Sequence, residues 1–130
     1  MNLYIGKSNQ IICFWTRMGS LITDRTVCTE LGDKIYDNKN TTWFLSGLGT
    51  VIGFCCAEDT GKLIRFKHDY IIPRMRGKGG YNVLFNKRLK LYPGRSLEIV
   101  TKTPAVLHTV LKHGFYKHSE RGTYSILRRD

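Results

Sequence analysis

Several features that define other classes of protein are scarce or absent in this sequence. Its 130 residues include 3 prolines and 4 cysteines. No pair of cysteines has the CxxC spacing, and no apolar run approaches the roughly 18 residues of a membrane-spanning helix. The segment after Met1 lacks a cationic stretch followed by a long apolar block, so no signal peptide is expected. These features predict a single domain over residues 1–130, located in the cytoplasm and without a membrane partner.

Two of the cysteines, Cys55 and Cys56, are adjacent in an apparent strand. Neighbouring strand residues point to opposite faces of a sheet, so a disulfide between these two is not expected. We therefore predict reduced and mostly buried thiols, as is usual for cysteines in a reducing compartment.

Acidic residues are also scarce, with 10 Asp and Glu against 21 Lys and Arg, and the imbalance is confined to one half of the chain. Residues 1–60 carry 5 basic and 6 acidic residues, whereas residues 61–130 carry 16 and 4. The clustering of basic residues in one half indicates a positive electrostatic potential that attracts an anionic partner, although a basic solubilising surface is the simpler interpretation. A phosphate-bearing cofactor needs only a few of these charges. The surplus predicts nucleic acid or a ribosomal surface as a second partner.

The pattern of apolar residues predicts an alternation of strands and helices. A first strand covers residues 3–5, and helical spacing follows at 9–18 and 24–36. Three strands of a meander then cover 41–46, 50–57 and 63–72, with a turn at Gly47–Gly49 between the first two. The rest of the chain is predicted as a helix to Tyr92, a strand at 96–101, a helix from Pro104 to Gly114, and a closing hairpin at 115–118 and 123–127.

The most informative segment is a glycine-rich cationic turn at residues 73–80. The extended run Tyr70–Ile72 stops at Pro73, and a helical pattern begins just past Gly79. A strand, a short turn and a helix in this order leave backbone N–H groups unpaired at the positive end of the helix dipole, where phosphate binds well. The glycines permit a close approach of the anion. Three cations can supply the countercharge: Arg74, Arg76 and Lys78.

Other phosphate and metal motifs are missing. Gly77-Lys78-Gly79 lacks the Gly-x4-Gly-Lys-Ser/Thr of a P-loop, and no third glycine completes a dinucleotide-binding fingerprint. Histidines recur every five residues near the C-terminus, a spacing that suits neither a helix face nor a metal site, so no metal is expected. They are His108, His113 and His118.

The order of elements and the motif Arg74-x-x-Gly77-x-Gly79 resemble the GNAT superfamily of N-acetyltransferases. The family's phosphate loop reads Arg/Gln-x-x-Gly-x-Gly/Ala directly after a strand. A second segment, residues 112–115 (Lys-His-Gly-Phe), is similar to the Lys-x-Gly-Phe that ends the family's fourth helix. The likeness covers residues 41–127 well and the first 40 in outline. It implies an α/β (α+β) fold with a mixed, mostly antiparallel sheet of about seven strands and four helices.

The resemblance implies acetyl-CoA, or another acyl-CoA, as a cofactor that donates its acyl group. The pyrophosphate would lie on the backbone N–H groups of Arg76 to Tyr81, and the pantetheine arm would pair like a strand with Tyr70–Ile72. A backbone N–H near Ile71 or Ile72 would bind the thioester oxygen. The residues implied to contact the cofactor are Tyr70, Ile71, Ile72, Arg74, Arg76, Gly77, Lys78, Gly79, Gly80, Tyr81 and Thr103, the last at a position where Asn is usual.

The resemblance also implies direct attack of an amine on the thioester, without a covalent enzyme intermediate. Many family members protonate the departing thiolate with a Tyr four residues before the glycine of Gly-Phe, a position that is Val110 here. The candidate substitutes are Tyr81, His108, Thr109 and Tyr116.

Asp69 is the candidate general base. Strand alternation places its side chain on the same face as Arg65, Lys67 and Ile71, where it could accept a proton from an ammonium acceptor or pair with Arg65 or Lys67. His68 would then point to the other face, where packing is a more common role for a histidine than catalysis.

Two functions follow as hypotheses. The first is an acyl-CoA-dependent N-acyltransferase with an unknown amine acceptor, which could be associated with nucleic acid (a DNA base or tRNA) or could be a protein or small molecule. The second is a catalytically weak binding module on the same scaffold, with CoA, nucleic acid or a protein as partner, and Val110 is the residue that favours it.

Overall fold

The computed structural model describes residues 2–32, 34–48 and 50–130. Within these residues, strands and α-helices follow the predicted order, which is thereby confirmed. The strands are β1 (Asn2–Gly6), β2 (Thr41–Leu48), β3 (Thr50–Asp59), β4 (Ile64–Ile71), β5 (Leu97–Thr101), β6 (Tyr116–Arg121) and β7 (Tyr124–Arg129). The helices are α1 (Phe14–Met18), α2 (Arg25–Leu31), α3 (Gly80–Leu91) and α4 (Pro104–Lys112), and short 3-10 turns cover Gly19–Ile22 and Pro73–Met75.

The strands form a mixed sheet in the order β1-β2-β3-β4-β5-β7-β6. Neighbouring strands are antiparallel except β4 and β5, which run parallel. In the described chain this parallel pair is joined by three residue pairs, from Ile64–Leu97 to Phe66–Ile99. Past Phe66 the two strands diverge, so the sheet opens near its middle. The architecture confirms the predicted fold class.

Apolar side chains pack on both faces of the sheet. On one face, α3 and α4 cover a cluster that contains Phe66, Phe85 and Val110. On the other face, α1 and α2 cover a cluster that contains Phe14 and Trp43. The sheet is therefore the middle layer of three, and burial of these large side chains is the main stabilising term of the fold.

The first helix is shorter than the spacing at 9–18 predicts. Helical structure is confined to Phe14–Met18, and the residues before it form turns. Ile11, Phe14 and Met18 are buried, while Ile12 and Trp15 are 70% and 58% exposed. Three apolar residues at intervals of three and four are enough to cover this face of the sheet.

The second helix also ends early. Asp24 caps its N-terminus, since the carboxylate accepts a hydrogen bond from the Val27 N–H at 3.1 Å. Gly32 ends it in the left-handed conformation with φ 80°. The prediction that this helix reaches residue 36 is wrong for residues 34–36, which are irregular, and Asp33 lies outside the described residues.

The predicted turn at Gly47–Gly49 begins later than expected, because β2 continues to Leu48. The register with β3 shifts between Ser46 and Gly47, and Gly49 lies outside the described residues. An added Cβ at Gly47 would lie 2.2 Å from the Thr50 carbonyl oxygen. This close approach of two backbones explains the glycine.

Cys55 and Cys56 confirm the predicted alternation. Cys55 lies in the cluster beneath α3 and α4, and Cys56 lies in the cluster beneath α1 and α2. Both are fully buried free thiols. Burial raises the pKa of Cys55 to about 12 and that of Cys56 well above its ordinary value. Both thiols are therefore protonated and unreactive at neutral pH.

No helix among the described residues combines the length and the hydropathy needed to cross a bilayer. In the same part of the chain, no group of three or more His, Cys, Asp and Glu side chains is arranged to hold a metal ion.

Candidate active site

Two concave regions meet where β4 and β5 diverge. The glycine-loop cleft, of about 240 Å³, is formed by the end of β4, the turn after it, the first turns of α3 and α4, and the end of α2. The basic cavity, of about 770 Å³, lies on the other side, among α2, β4, β5 and the β6–β7 hairpin. A pocket of about 40 Å³ at the divergence shares Asp69 and Thr103 with the cleft, and Lys67 and His68 with the cavity. The two regions are thus neighbours through the opening in the sheet.

The glycine turn has the backbone geometry of an anion cradle. Gly77 and Gly79 have φ of 75° and 83°, values that favour glycine. The Val83 N–H donates the first hydrogen bond at the start of α3, to the Gly79 carbonyl, so the N–H groups of Gly80, Tyr81 and Asn82 precede the helical ladder. An added Cβ at Gly77, Gly79 or Gly80 would meet nothing within 4 Å. Open space therefore lies beside these donors, and it is the space a phosphate needs.

Most residues predicted to contact a cofactor line this cleft. They are Tyr70, Ile71, Arg76, Gly77, Gly79, Gly80, Tyr81 and Thr103. Ile72, Arg74 and Lys78 are not among the described lining residues. Ile72 packs instead against the cluster beneath α1 and α2, and Arg74 and Lys78 are exposed cations on the turn. Their charges act from the rim of the cleft.

Arg76 lies across one end of the cleft and is held by three groups. Its Nη1 lies 2.6 Å from Glu30 Oε1, and its Nη2 donates to Glu30 Oε2 at 2.7 Å. Its Nε donates to the Ile71 carbonyl at 2.8 Å, and its guanidinium lies 5.3 Å from the centre of the Tyr70 ring. Sequence reasoning did not predict this link between the glycine turn and α2.

Two predicted backbone donors are already engaged. The Ile72 N–H donates to the Ile52 carbonyl at 2.9 Å, and the Arg76 N–H donates to the Pro73 carbonyl at 3.2 Å. The N–H groups of Ile72 and Arg76 are therefore not available to a cofactor, contrary to the prediction. Backbone groups of successive strand residues point to opposite edges, so the Ile71 N–H points away from β3 and into the opening. Ile71 is the better candidate donor of the pair.

A bulge in β4 overturns the predicted orientation of Asp69. Phe54 pairs with Tyr70 and Cys56 pairs with Lys67, so β4 has one residue more than β3 between these pairs. His68 absorbs the extra residue with φ 57°. The prediction that Asp69 shares a face with Arg65 and Lys67 is therefore wrong, as is its pairing with either of them.

Asp69 instead forms a buried network with two residues of α3. Arg88 Nη1 donates to Asp69 Oδ1 at 2.8 Å and Nη2 donates to Oδ2 at 2.7 Å, while the Tyr81 hydroxyl donates to Oδ2. Arg88 also donates to the Cys56 carbonyl and lies 4.0 Å from the centre of the Phe66 ring. Although burial disfavours its charge, the Asp69 carboxylate holds the pKa of Arg88 above its ordinary value. The spacing from Leu84 and Phe85 puts Arg88 on the buried face of this helix, but the sequence does not reveal its partner.

The candidate acids are scattered. Burial is the main cause that raises the pKa of Tyr81 well above its ordinary value, and the charge of Asp69 is the second. The Tyr81 hydroxyl is therefore a weaker acid than usual. Thr109 lines the glycine-loop cleft. His108 is exposed on α4 away from the described lining residues, and the exposed Tyr116 donates to Asp130 on the outer edge of the sheet. Val110 is fully buried in the core.

His68, for which the sequence favours packing over catalysis, is packed and also borders the candidate site. It is 8% exposed, its ring stacks on Trp43 at 6.2 Å between centroids, and it meets the Tyr36 ring edge-on at 5.4 Å. It borders both the pocket at the divergence and the basic cavity. A left-handed conformation at a non-glycine residue is strained and is common at functional sites. No signal in the sequence marks the bulge.

Solved structures with this architecture are known, although no family model and no curated protein matches the sequence. ElaA from Escherichia coli superposes with a TM-score of 0.79 at 9% identity over 100% of both chains. An acyl-CoA N-acyltransferase from Pseudomonas aeruginosa gives 0.75 at 11% identity over 99% of both. The N-acetyltransferase PseH from Campylobacter jejuni, solved in complex with acetyl coenzyme A, gives 0.58 at 18% identity over 72% of this chain and 70% of its own. This chain has the GNAT fold.

The likeness concerns architecture, since the identities lie between 9% and 18%. It confirms the fold that the resemblance of residues 74–79 and 112–115 implies. In this GNAT-fold chain the glycine turn, the opening between β4 and β5 and the start of α4 all border one cleft.

Proposed function

We propose that this protein is an acyl-CoA-dependent N-acyltransferase that uses acetyl-CoA and an amine acceptor. The observation that carries the proposal is the junction of the glycine-loop cleft with the basic cavity where β4 leaves β5. A donor in the cleft and an acceptor in the cavity would meet there. Holding two reactants in such a geometry can lower the barrier by several kcal/mol without covalent chemistry by the protein.

The glycine turn fits the diphosphate of an acyl-CoA. The N–H groups of residues 77–82 would bind the phosphate oxygens, beside the open space at Gly77, Gly79 and Gly80. Arg74 and Lys78 would add countercharge from the rim. Thr103, at the start of α4, would contact the arm that reaches toward the opening.

The reacting end would lie against Ile71. Bound acyl-CoA supplies a thioester, and the Ile71 N–H would donate to its oxygen, where negative charge develops as the amine attacks. The new C–N bond forms while the C–S bond breaks, and the ammonium proton must leave for a base on the acceptor side. The tethered Ile71 carbonyl, which accepts from Arg76, keeps this part of the backbone in place.

We assign the base to His68 rather than Asp69. His68 borders both the pocket at the divergence and the basic cavity, whereas Asp69 accepts three hydrogen bonds from Arg88 and Tyr81. Imidazole is the side chain most used for proton transfer in enzymes. Asp69 would then act as a positioning residue that fixes the bulge beside His68.

A second candidate function is a binding module with little turnover, which would take CoA and nucleic acid or a protein as partners. Val110 favours it, because the position that bears an acidic Tyr in many GNAT proteins is buried core here. In the proposed transferase the thiolate would take its proton from solvent. The two functions differ in turnover, not in CoA binding.

The excess of basic residues in 61–130 supports an anionic second partner, such as nucleic acid or a ribosomal surface. The buried free thiols of Cys55 and Cys56 suit a reducing compartment, and we propose the cytoplasm.

The test combines calorimetry with a thiol-release assay. CoA and acetyl-CoA should each bind at one site, and Lys78→Glu should weaken binding while Lys87→Glu, on the exposed side of α3, should not.

Free thiol should then appear when acetyl-CoA is mixed with a panel of amines. His68→Asn, which tolerates the left-handed conformation, should keep CoA affinity and lose turnover. Absence of CoA binding overturns the proposal, and binding without thiol release favours the module.

A further inference from the structure

The basic cavity has a composition unlike that of the glycine-loop cleft. Four cationic side chains and one carboxylate border it: Arg65, Lys67, Arg121, Arg128 and Glu98. Two histidines, His68 and His118, border it as well. A concave surface lined by one sign of charge concentrates ligands of the opposite sign.

Glu98 sets the orientation of two of these cations. Its carboxylate is 7% exposed and lies between two guanidinium groups. Arg65 Nε donates to Oε1 at 3.1 Å, and Arg128 Nε donates to Oε2 at 2.9 Å. Each arginine is held through Nε, and Arg128 Nη1 also lies 3.1 Å from His118 Nε2. The side chains of Arg65 and Arg128 are 43% and 36% exposed.

The other two cations differ in their partners. Lys67 is neutralised by Glu58 at 2.8 Å and also donates to the Tyr36 hydroxyl. Arg121 is exposed at the tip of the β6–β7 hairpin and forms no ion pair with any carboxylate of the described chain. One carboxylate therefore balances two arginines, and Arg121, which lies opposite Tyr124 on the hairpin, adds an uncompensated charge that borders the same cavity.

We propose that the acceptor is a small amine that carries a carboxylate or a phosphate monoester, docked on Arg65, Arg121 and Arg128. The inference rests on the proposed acyl transfer, since it names the second substrate of that reaction. Guanidinium groups bind carboxylate and phosphate in two-point contacts, which fixes the direction of the ligand. An anion held there would leave the amine end of the molecule to reach His68, which borders the same cavity.

The walls of the cavity favour a small acceptor over a polyanion. The Tyr124 hydroxyl donates to the Gly32 carbonyl at 3.3 Å, so β7 touches the end of α2. Lys102 covers the Tyr124 ring, with Nζ 5.6 Å from its centre. Gly32 and Tyr124 both line the cavity, so this contact forms one of its walls.

The kinetic test uses amines that differ in one charge. With acetyl-CoA saturating, kcat/KM is measured for O-phosphoethanolamine against ethanolamine, and for β-alanine against β-alaninamide. The anionic member of each pair should be preferred by about tenfold or more, the effect of one charge-assisted hydrogen bond. Arg121→Gln should reduce that preference and leave CoA affinity unchanged. Arg25→Gln, an exposed arginine of α2 outside the cavity, is the matched control. Equal rates within each pair overturn the proposal.

A binding test decides the question if none of these amines is acetylated. Inorganic phosphate is titrated into CoA-saturated protein while the Nε–H resonances of Arg65 and Arg128 are followed by NMR. Shifts that weaken in Arg121→Gln support the site, and unshifted resonances overturn it. A single-stranded oligonucleotide that binds where phosphate does not would also overturn it. CoA calorimetry on the same samples separates this failure from failure of the acyl-transfer proposal.

Discussion

Arg88 and Asp69 form a two-point ion pair in the interior, with Nη1–Oδ1 and Nη2–Oδ2 distances of 2.8 and 2.7 Å. The guanidinium side chain is fully buried and the carboxylate side chain is 6% exposed. The pair links α3, which begins at the glycine turn, to the bulge that orients His68. One interaction thus joins the proposed donor side of the site to its proposed acceptor side.

Asp69→Asn is expected to destabilise the protein strongly, by about 3–5 kcal/mol, because it leaves the Arg88 charge buried without its partner. The measurement is the free energy of unfolding from urea titration. The double variant Asp69→Asn/Arg88→Met should recover much of the loss, since it removes both charges. Equal stability of the single variant and the wild type would contradict the burial of this pair.

Gly80→Ala is expected to separate binding from stability. The new methyl meets no protein atom within 4 Å, and φ at this residue is not positive, so thermal stability should be unchanged or slightly higher. The same methyl would occupy space beside the N–H donors of the turn. The dissociation constant for CoA, measured by calorimetry, should therefore rise by about tenfold. Lys90→Ala on the exposed surface of α3 is the control, and an unchanged CoA affinity in Gly80→Ala would argue against the cradle.

The cysteines should react in an order set by exposure. Cys13 is exposed, Cys28 is half-buried, and Cys55 and Cys56 are fully buried with raised pKa values. Iodoacetamide followed by peptide mass spectrometry should find Cys13 alkylated first in the folded protein, with Cys55 and Cys56 protected until urea is added. Rapid labelling of Cys55 in native buffer would show that the sheet opens far more readily than this packing allows.

Glu58 should contribute stability that is lost in acid. A hydrogen bond from Lys67 is the main cause that lowers the pKa of Glu58 below its ordinary value of 4.5. The stabilisation is therefore present above the unfolded-state pKa and disappears as the pH falls through the lower folded-state value. Glu58→Gln should be less stable than wild type at neutral pH, and the difference should shrink toward about pH 3. Urea midpoints at the two pH values measure this, with Glu120→Gln, in an exposed pair, as the comparison.

The general architecture and the glycine turn could be predicted from local pattern. The signals used were local: the alternation of apolar residues, the breaks at Gly and Pro, and the Arg74–Gly79 motif. The observed strands and α3 lie close to where these signals placed them. The early end of α2 at Gly32 also had a local sign, since glycine in the left-handed conformation commonly ends a helix.

The details of the candidate site depend on contacts between residues far apart in the sequence. The bulge at His68 exists because β4 has one residue more than its partner, and period-two alternation cannot report such an insertion. Because alternation was assumed to continue through the bulge, Asp69 was predicted on the wrong face, and the position of His68 beside the cavity was not predicted. Helical spacing from Leu84 and Phe85 places Arg88 on the buried side of α3, but its partner Asp69 lies 19 positions away, so the ion pair could not be predicted.

The three residue pairs that join β4 to β5 divide the sheet into two blocks, β1–β4 and β5–β7, along a narrow seam. The first block carries the glycine turn and His68, and the second carries Arg121 and Arg128. A rotation of one block against the other would change both recesses, because each is lined by residues of both blocks. Hydrogen exchange at residues 64–66 and 97–99 would then report, through one short stretch of backbone, how readily the seam between the blocks opens.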